Sequence, residues 1–569
     1  MNTSTNRRTV GKILSLFALF VAIAFTSCRE RRDTAGGLFG PTKFDEDDFV
    51  AVLSKKYVKP IDSASWNKEK LHEDIEQYQQ YVYQANDYFP LWLDEDGSTK
   101  YVDELIKELE NLRMDGLDPE QYNLSFLKQQ RTYFDRTKTP NLDTVVAFDT
   151  ACTHSYLAAS HDLLFGRISA KKADPIWYHK NDSTWRPDTV LIKQLYQQGR
   201  YPTLASYRSK IPMYNVLMET RAHYDLLLKN QEFLNAKAGL VADTVPVDSY
   251  SMYIIHTEMP WLANAETDSG NTRSAQIKAY QKFYALKQSG KLDKETMAKI
   301  KGEPTDVFDH IDVNMERLRW LPQSFEDRYV IVNVPMMELF LRKDGEDVMH
   351  MNVVVGRPER KTPSIGANMA NVVFNPSWGV PPTILRKDVA PGLAKSGAAY
   401  LAERRLVPYT KKGKRVNPAS VTAANATNFM FRQPPGDHNA LGNVKFNLPN
   451  NWDIYLHDTP HREDFDKPYR AKSSGCIRVQ KPREMAEYIL SVLEGKQYDQ
   501  ERISAVISTQ STKFVNLEKK LAVHIVYLTV FDSDNQRVRF VKDIYEKDAQ
   551  VLSQLRGDTE QPKETVAKK

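Results

Sequence analysis

The sequence predicts an α+β protein of several domains, helical through its N-terminal half and mostly β in its C-terminal part. Three observations carry that reading. The chain has 569 residues, and at roughly 100–200 residues per domain it should fold as several units. Apolar residues recur at three- and four-residue steps from residue 44 to 256, then at every second residue from 329 onward. Hydrophobic residues make up 41% and aromatic residues 11% of the chain, which supplies several cores and excludes a disordered or collagen-like protein.

At the N-terminus, Arg7, Arg8 and Lys12 precede an apolar run from Ile13 to Phe25. That run matches the core of a cleaved leader and is shorter than the ~20 residues a membrane-spanning helix needs. Phe25-Thr26-Ser27-Cys28 then sets small residues directly before a cysteine. This resembles a bacterial lipobox, although Phe25 departs from the usual aliphatic residue there. Residues 1–27 are therefore expected to be a signal peptide, and Cys28 the lipidated first residue of an exported, membrane-anchored periplasmic lipoprotein. Residues 28–43, charged at first and then carrying Gly36, Gly37, Gly40 and Pro41, read as its tether.

Residues 44–256 are expected to form a helical scaffold domain. In 101–114, Val102, Leu105, Ile106, Leu109 and Leu112 mark one buried face, and Gly116 lets the chain leave the helix. Asp118-Pro119 reads as a restart, a capping side chain followed by a residue whose missing N–H costs nothing in a first turn. Cys152, between Ala151 and Thr153 in a helical stretch, is expected to be an inert buried thiol.

Residues 257–303 form a smaller helical unit. Ile277, Tyr280, Phe283 and Tyr284 make one stripe, Gly290 breaks it, and Asp293 caps a second helix with Met297 and Ile300. Its order, in "IKAYQKFYALKQSGKLDKETMAKI", resembles the small peptidoglycan-binding helical module, with packing an equal alternative to glycan binding.

A mostly β domain is expected over 304–545. After an amphipathic helix at 307–321, strands are expected at 329–334, 337–341 and 348–355, with Lys343-Asp344-Gly345 turning between the last two. Residues 372–374, 453–456 and 522–531 extend the sheet. From about 386 to 445 the chain turns irregular, basic and rich in Ala, Asn, Pro and Gly, as a long insertion capping a site would be. Residues 546–569 read as a polar tail.

The formal charge is +5, and without Arg7, Arg8 and Lys12 about +2, too even a balance for a nucleic-acid binder. Three cysteines are too few for a disulfide framework or a four-thiolate zinc site.

The chemistry concentrates in Tyr455-Leu456-His457-Asp458-Thr459-Pro460 and Ser473-Ser474-Gly475-Cys476-Ile477-Arg478-Val479. The thiolate is the nucleophile, and a thiol with an ordinary pKa near ~8.5 needs an imidazole to take its proton. His457 ends an expected strand nineteen residues before Cys476, so the loop between them can bring the two together. Ser474 and Gly475 leave room for backbone N–H groups to approach a carbonyl. Arg478 falls on the same side as Cys476 in an extended segment and suits a carboxylate. A lone cysteine is most often a small core residue, but seldom in Ser-Ser-Gly with an arginine two positions on. Metal binding is disfavoured, because Pro460 breaks any helix that would align His457 with His461, and His461 with its acidic neighbours reads as a solvated loop.

"YLHDTP…SSGCIRV" resembles the active-site signature of the L,D-transpeptidases (YkuD-type catalytic domain), specifically their large multi-domain periplasmic branch. Supporting matches include "DGLDPEQY", "LLFGRIS", "ERLRWLP", "VVVGRPERKTPSI", "FNPSWGVPP" and "RQPPGDHNALGNVKFNLPN". The resemblance implies Cys476 as nucleophile, His457 as general base, Gly475 and Cys476 as oxyanion-hole backbone, and Arg478 as the motif arginine. Ser474 stands where many smaller members place a histidine. With Tyr455 and Trp378 as pocket walls, the implied reaction acylates Cys476 on a peptidoglycan tetrapeptide stem, releases D-alanine and forms 3→3 cross-links, without a cofactor or metal. Carbapenem-type inhibitors are implied as ligands. Water or a protein lysine as acceptor, giving an L,D-carboxypeptidase or a stem-to-protein ligase, stays open at this stage. So does a non-catalytic peptidoglycan-tethering lipoprotein.

Overall fold

Residues 42–57, 75–181, 183–263, 272–533 and 537–557 are described by the computed structural model; the expected signal peptide, Cys28 and nearly all of the tether lie outside them. The described chain divides into two units. The first holds the described residues up to Glu110 together with Pro119–Ser160 and Arg186–Leu204, and the second holds Asn111–Asp118, His161–Trp185 and everything from Ala205.

The first unit is helical, as its periodicity dictates. Helix Lys100–Asn111 buries Val102, Leu105 and Leu109. The chain then makes a 3₁₀ turn and leaves it through Gly116 at φ +70°, the left-handed conformation that glycine adopts without strain. Asp118-Pro119 opens a 3₁₀ turn, Pro119–Tyr122, rather than the α-helix expected; the helix proper starts at Leu124. Within helix Leu142–Phe165, Cys152 is fully buried and unpaired. One turn earlier, the buried Asp149 carboxylate accepts hydrogen bonds from the amides of Leu91, Trp92 and Leu93 and from the Tyr83 hydroxyl. Burial still pushes its pKa up. This carboxylate replaces the water that the 91–93 backbone would otherwise need.

The strands of the second unit are β1 (Arg328–Asn333), β2 (Glu338–Lys343), β3 (Glu346–Gly356), β4 (Ile365–Phe374), β5 (Trp378–Gly379), β6 (Val407–Thr410), β7 (Phe429–Gln433), β8 (Val444–Asn447), β9 (Leu456–His457), β10 (Ala471–Ser473), β11 (Ile477–Val479), β12 (Lys513–Val526), β13 (Val530–Ser533) and β14 (Arg537–Phe540); β5–β7 and the β13–β14 hairpin stand apart, and the rest form the main sheet. The order is β10-β3-β11-β9-β8-β4-β12-β1-β2, and β2 also pairs with β3, so the strands from β3 round to β2 close on themselves. Asp344 and Gly345, at φ +52° and +88°, make the two-residue turn that Asp-Gly favours in a hairpin. Val330, Val332, Leu339, Leu341, Val353, Val355, Phe446, Leu456, Ile477, Val523 and Ile525 are fully buried. β1 is buried at nearly every position, as a strand covered on both faces is.

Three expectations change here. The helical region does not end as one body at 256: helices Pro212–Leu227, Gln231–Val241 and Val247–Glu258 pack into the same core as the strands. The 257–303 stripe has no separate core either. Ile277, Tyr280, Phe283, Tyr284 and Ile300 join the core of the strands, with Phe283 and Tyr284 each 5.3 Å from the Phe540 ring. So many large rings on two short helices are more apolar surface than the pair can bury alone. The expected polar tail from 546 is in part a helix, Asp548–Arg556, with Val551 buried. Arg317 donates to Asp548 at 2.6 Å and Lys547 to Asp174 at 2.6 Å; two charges disguise a docked segment.

The insertion is ordered rather than irregular. It leaves the sheet after β4 and returns at β8, where the Asn375 amide donates to the Asn443 carbonyl. Between them, short helices (Pro382–Ile384, Ala390–Ser396, Ala398–Glu403) and a β5-β7-β6 sheet enclose their own core of Val389, Leu393, Leu401, Leu406, Val421, Ala426 and Phe431. Those apolar residues are spread thinly among Gly, Pro and Lys, so no window shows a period. We call this body the cap. Among the described residues no helix is long and apolar enough to cross a membrane.

Replacing Asp149 with Ala strands three amides in the first unit, each worth about 1–3 kcal/mol when left unpaired, while the Tyr83 hydroxyl keeps Thr153 Oγ1 as a partner. Denaturant unfolding should show a loss of at least about 3 kcal/mol; a loss below about 1 kcal/mol would contradict the assigned role.

Candidate active site

Strand alternation sorts the site residues before any chemistry enters. β8 and β9 run antiparallel with Phe446 opposite Leu456 and Lys445 opposite His457. β9 and β11 run parallel with Leu456 opposite Ile477 and His457 opposite Arg478. Phe446, Leu456 and Ile477 therefore form one row in the apolar interior, and Lys445, His457 and Arg478 form the next row on the opposite face. That face bounds a cavity of about 1130 Å³ under the cap, and its lining includes Trp378, Tyr455, His457, Ser474, Cys476 and Arg478.

β9 is shorter than the expected 453–456 strand because Asn450 ties the preceding chain into a turn. Its side chain accepts from the Trp452 and Ile454 amides and donates to the Leu448 and Ile454 carbonyls, and Asp453 sits at φ +55°. This turn meets Cys476. The Cys476 thiol donates to the Asp453 carbonyl at 3.4 Å, and the amide and hydroxyl of Tyr455 interact with the sulfur as donors. Burial pushes the thiol's pKa up, opposed by those Tyr455 donors and by the charge of Lys445.

Cys476 itself is half-buried, between β10 and β11. Gly475 before it has φ +120°, a conformation close to glycine's own, and its carbonyl accepts from Thr362 Oγ1 at 2.7 Å. The Gly475 amide donates to Ser473 Oγ, so in this state it is engaged rather than aimed at the cavity. Ser473 Oγ in turn donates to the Cys476 carbonyl at 2.6 Å.

His457 is buried, and its Nδ1 faces the Asp458 carbonyl at 2.5 Å, the contact that fixes the ring and leaves Nε2 for other work. The Tyr455 ring lies edge-on at 5.6 Å. Burial, then the charge of Arg478, holds the imidazole pKa down to about 3. His457 and Cys476 line the same cavity without a direct hydrogen bond between them among the described residues. Arg478 pairs with Asp464 at 3.3 Å while reaching the cavity wall. Ser474 accepts from Arg360, whose guanidinium also grips Asp388 of the cap through both nitrogens. Trp378 lines the cavity and packs on the cap's core as well.

Sequence reasoning missed Lys445, Asp453, Thr362 and Arg360. It also misjudged the acidic neighbours of His461: His461 and Glu463 are solvated, but Asp458 is buried and accepts from the Asn443 and Thr459 amides, and Asp464 collects Lys467, Lys472 and Arg478. A Cβ on Gly442 would lie 2.4 Å from Asp458 Cγ, so "LGN" before β8 was the available signal. Among the described residues no group of three or more His, Cys, Asp or Glu side chains is placed to hold a metal ion.

Residues 327–507 match the family model of an L,D-transpeptidase catalytic domain, and residues 77–220 that of a scaffold domain. A curated Haemophilus influenzae protein named "Putative L,D-transpeptidase" is 31% identical over 258 residues, 45% of this chain and 51% of its own; the chain thus spans about half the length of the curated relative it matches. Similar solved structures include the Ldtfm–avibactam carbamoyl enzyme (14% identity, 37% of this chain and 51% of that one, TM-score 0.19). Another is the catalytic domain of an E. faecium L,D-transpeptidase acylated by ertapenem (13% identity, 36% and 98%, TM-score 0.18).

His457 shares its low pKa with His179, which burial also holds at about 3. Both folded values lie below the ordinary 6.5, so the unfolded chain takes up these protons first. The stability they confer is complete above pH 6.5 and is lost as pH falls toward 3. Between pH 7.5 and 5 each imidazole should cost about 2 kcal/mol. Urea midpoints across that range read the slope, and His457→Gln should remove about half of it.

Proposed function

We propose that this chain, whose residues 327–507 carry an L,D-transpeptidase catalytic domain, is a cysteine acyltransferase that cross-links peptidoglycan stem peptides. One observation carries the reading: a half-buried thiol just before β11 and a neutral imidazole on β9, the strand β11 pairs with, open onto one large cavity. Such a pair fits acyl transfer, in which a thioester divides one hard displacement into two easier ones.

In the first half-reaction Cys476 Sγ bonds to the carbonyl carbon that joins the third stem residue to its terminal D-alanine, and the thiol proton passes to His457. Collapse of the tetrahedral adduct breaks the C–N bond, and the proton moves from His457 to the departing amine, so D-alanine leaves neutral in balance and a thioester remains. In the second, a side-chain amine of another stem attacks the thioester carbonyl and gives its proton to His457. The C–S bond breaks, the thiol is re-formed, and the product is a 3→3 cross-link. The negative oxygen needs amide donors. The Cys476 N–H is one; the Gly475 N–H becomes the second if substrate draws it from Ser473. Arg478 and the aromatic walls Trp378 and Tyr455 orient the stem. Cys28, lipidated in the periplasm, anchors the enzyme beside its polymer.

The ground state pairs a protonated thiol with a neutral base, because burial raises one pKa and lowers the other. Acylation by a carbapenem should then be level from about pH 5 to 8, with no inflection near 6.5; a sigmoid rise centred there would contradict an imidazole that stays neutral. Intact-mass spectrometry should find one carbapenem adduct on the wild type and none at residue 476 in Cys476→Ala, while His457→Ala slows acylation about a hundredfold or more. A wild type that forms no adduct and releases no D-alanine from tetrapeptide stems overturns the proposal.

A further inference from the structure

The row on the cavity face contains a group that the mechanism above does not use. Lys445 lies directly across from His457 on β8, and its Nζ sits 4.0 Å from the centre of the Tyr455 ring; Tyr455 lines the same cavity as Cys476, and its carbonyl accepts from the amide of Ile477, the residue after the thiol. The side chain is half-buried. Among the described residues it makes no ion pair within 4.0 Å and donates no hydrogen bond to another side chain. Withdrawing an ammonium from water is costly; the charge of Asp453 offsets part of that cost without forming an ion pair, and the Tyr455 π face is the group Lys445 touches directly.

The other charges around the sulfur do not fill the same role. Arg478, on β11, is committed to Asp464. Arg360 is committed to Asp388 and Ser474. His457, on β9, is uncharged at its low pKa. Asp453 has its carbonyl on the thiol, and its carboxylate works against a thiolate. Among the described residues, Lys445 is thus a cation beside the Tyr455 ring that forms no ion pair within 4.0 Å.

We propose that Lys445 is a positioning residue for Cys476: its ammonium, held on the Tyr455 ring, supplies the positive charge that offsets the thiolate as the proton leaves. The two cations flanking His457, Lys445 and Arg478, also disfavour its protonated form, so the resting imidazole is neutral. Burial lowers the pKa of Lys445 itself, opposed by the charges of Cys476 and Asp453. The idea rests on the acyltransferase reading only for its purpose; the effect on the thiol stands without it.

The test therefore reads the thiol directly. Iodoacetamide alkylation of the Cys476 peptide in the full-length protein, followed by mass spectrometry from pH 7 to 10, gives the thiol's titration without any transpeptidase substrate. Lys445→Met, which keeps the stem's packing, should raise the thiol pKa and slow alkylation at pH 8 by roughly three- to tenfold, a tenfold change being one pKa unit. Lys445→Arg should restore the rate to within about twofold. Circular dichroism confirms that each variant is folded, and if Lys445→Met unfolds, Lys445→Gln takes its place. Equal alkylation of wild type and Lys445→Met, or an arginine variant as slow as the methionine one, overturns the proposal. A shifted thiol titration in a protein that no carbapenem acylates would sink the acyltransferase reading and leave this inference standing.

Discussion

The site depends on the two-residue periodicity of β9. Leu456 enters the apolar interior, and that burial decides which way His457 must point. A slip of one residue would drive an imidazole into the core and a leucine into the cavity. Neighbouring strands reinforce the register, since Phe446 and Ile477 fill the same apolar layer on either side. The chemistry is thereby positioned by hydrophobic packing on the other face of the same strands.

Around this row the polar chain is arranged to hold Cys476 from the opposite direction. Asn450 uses four hydrogen bonds to shape the turn before β9, and the turn presents the Asp453 carbonyl and the Tyr455 donors to the sulfur. Thr362 steadies Gly475 from the β3–β4 connection. Long-range contacts of this kind are what convert a flexible Ser-Ser-Gly segment into a fixed one.

The two-period strands from 329 to 355 were legible because their apolar residues alternate over continuous runs and a strong turn dipeptide separates them. Helix 100–111 was legible from its stripe. Cys476 and His457 stood out because their residue types are unusual in that setting. Lys445 did not, since a lysine in an alternating strand reads as a solvated face, and only the Tyr455 ring across from it says otherwise. The first half of β12 was hidden by Lys519, Lys520 and Glu518, which are exposed. The cap was hidden by short elements whose core forms only in three dimensions, and the 273–301 helices by a stripe whose partner strands lie far along the chain.

The cap leaves and rejoins the sheet at Asn375 and Asn443, which are hydrogen-bonded neighbours. With its two ends already side by side, the length and content of the excursion are nearly invisible to the strands that carry it. It also has its own apolar nucleus. Remodelling that body can therefore reshape the entrance to the cavity while Cys476 and His457 stay where they are, so access and internal geometry can vary separately.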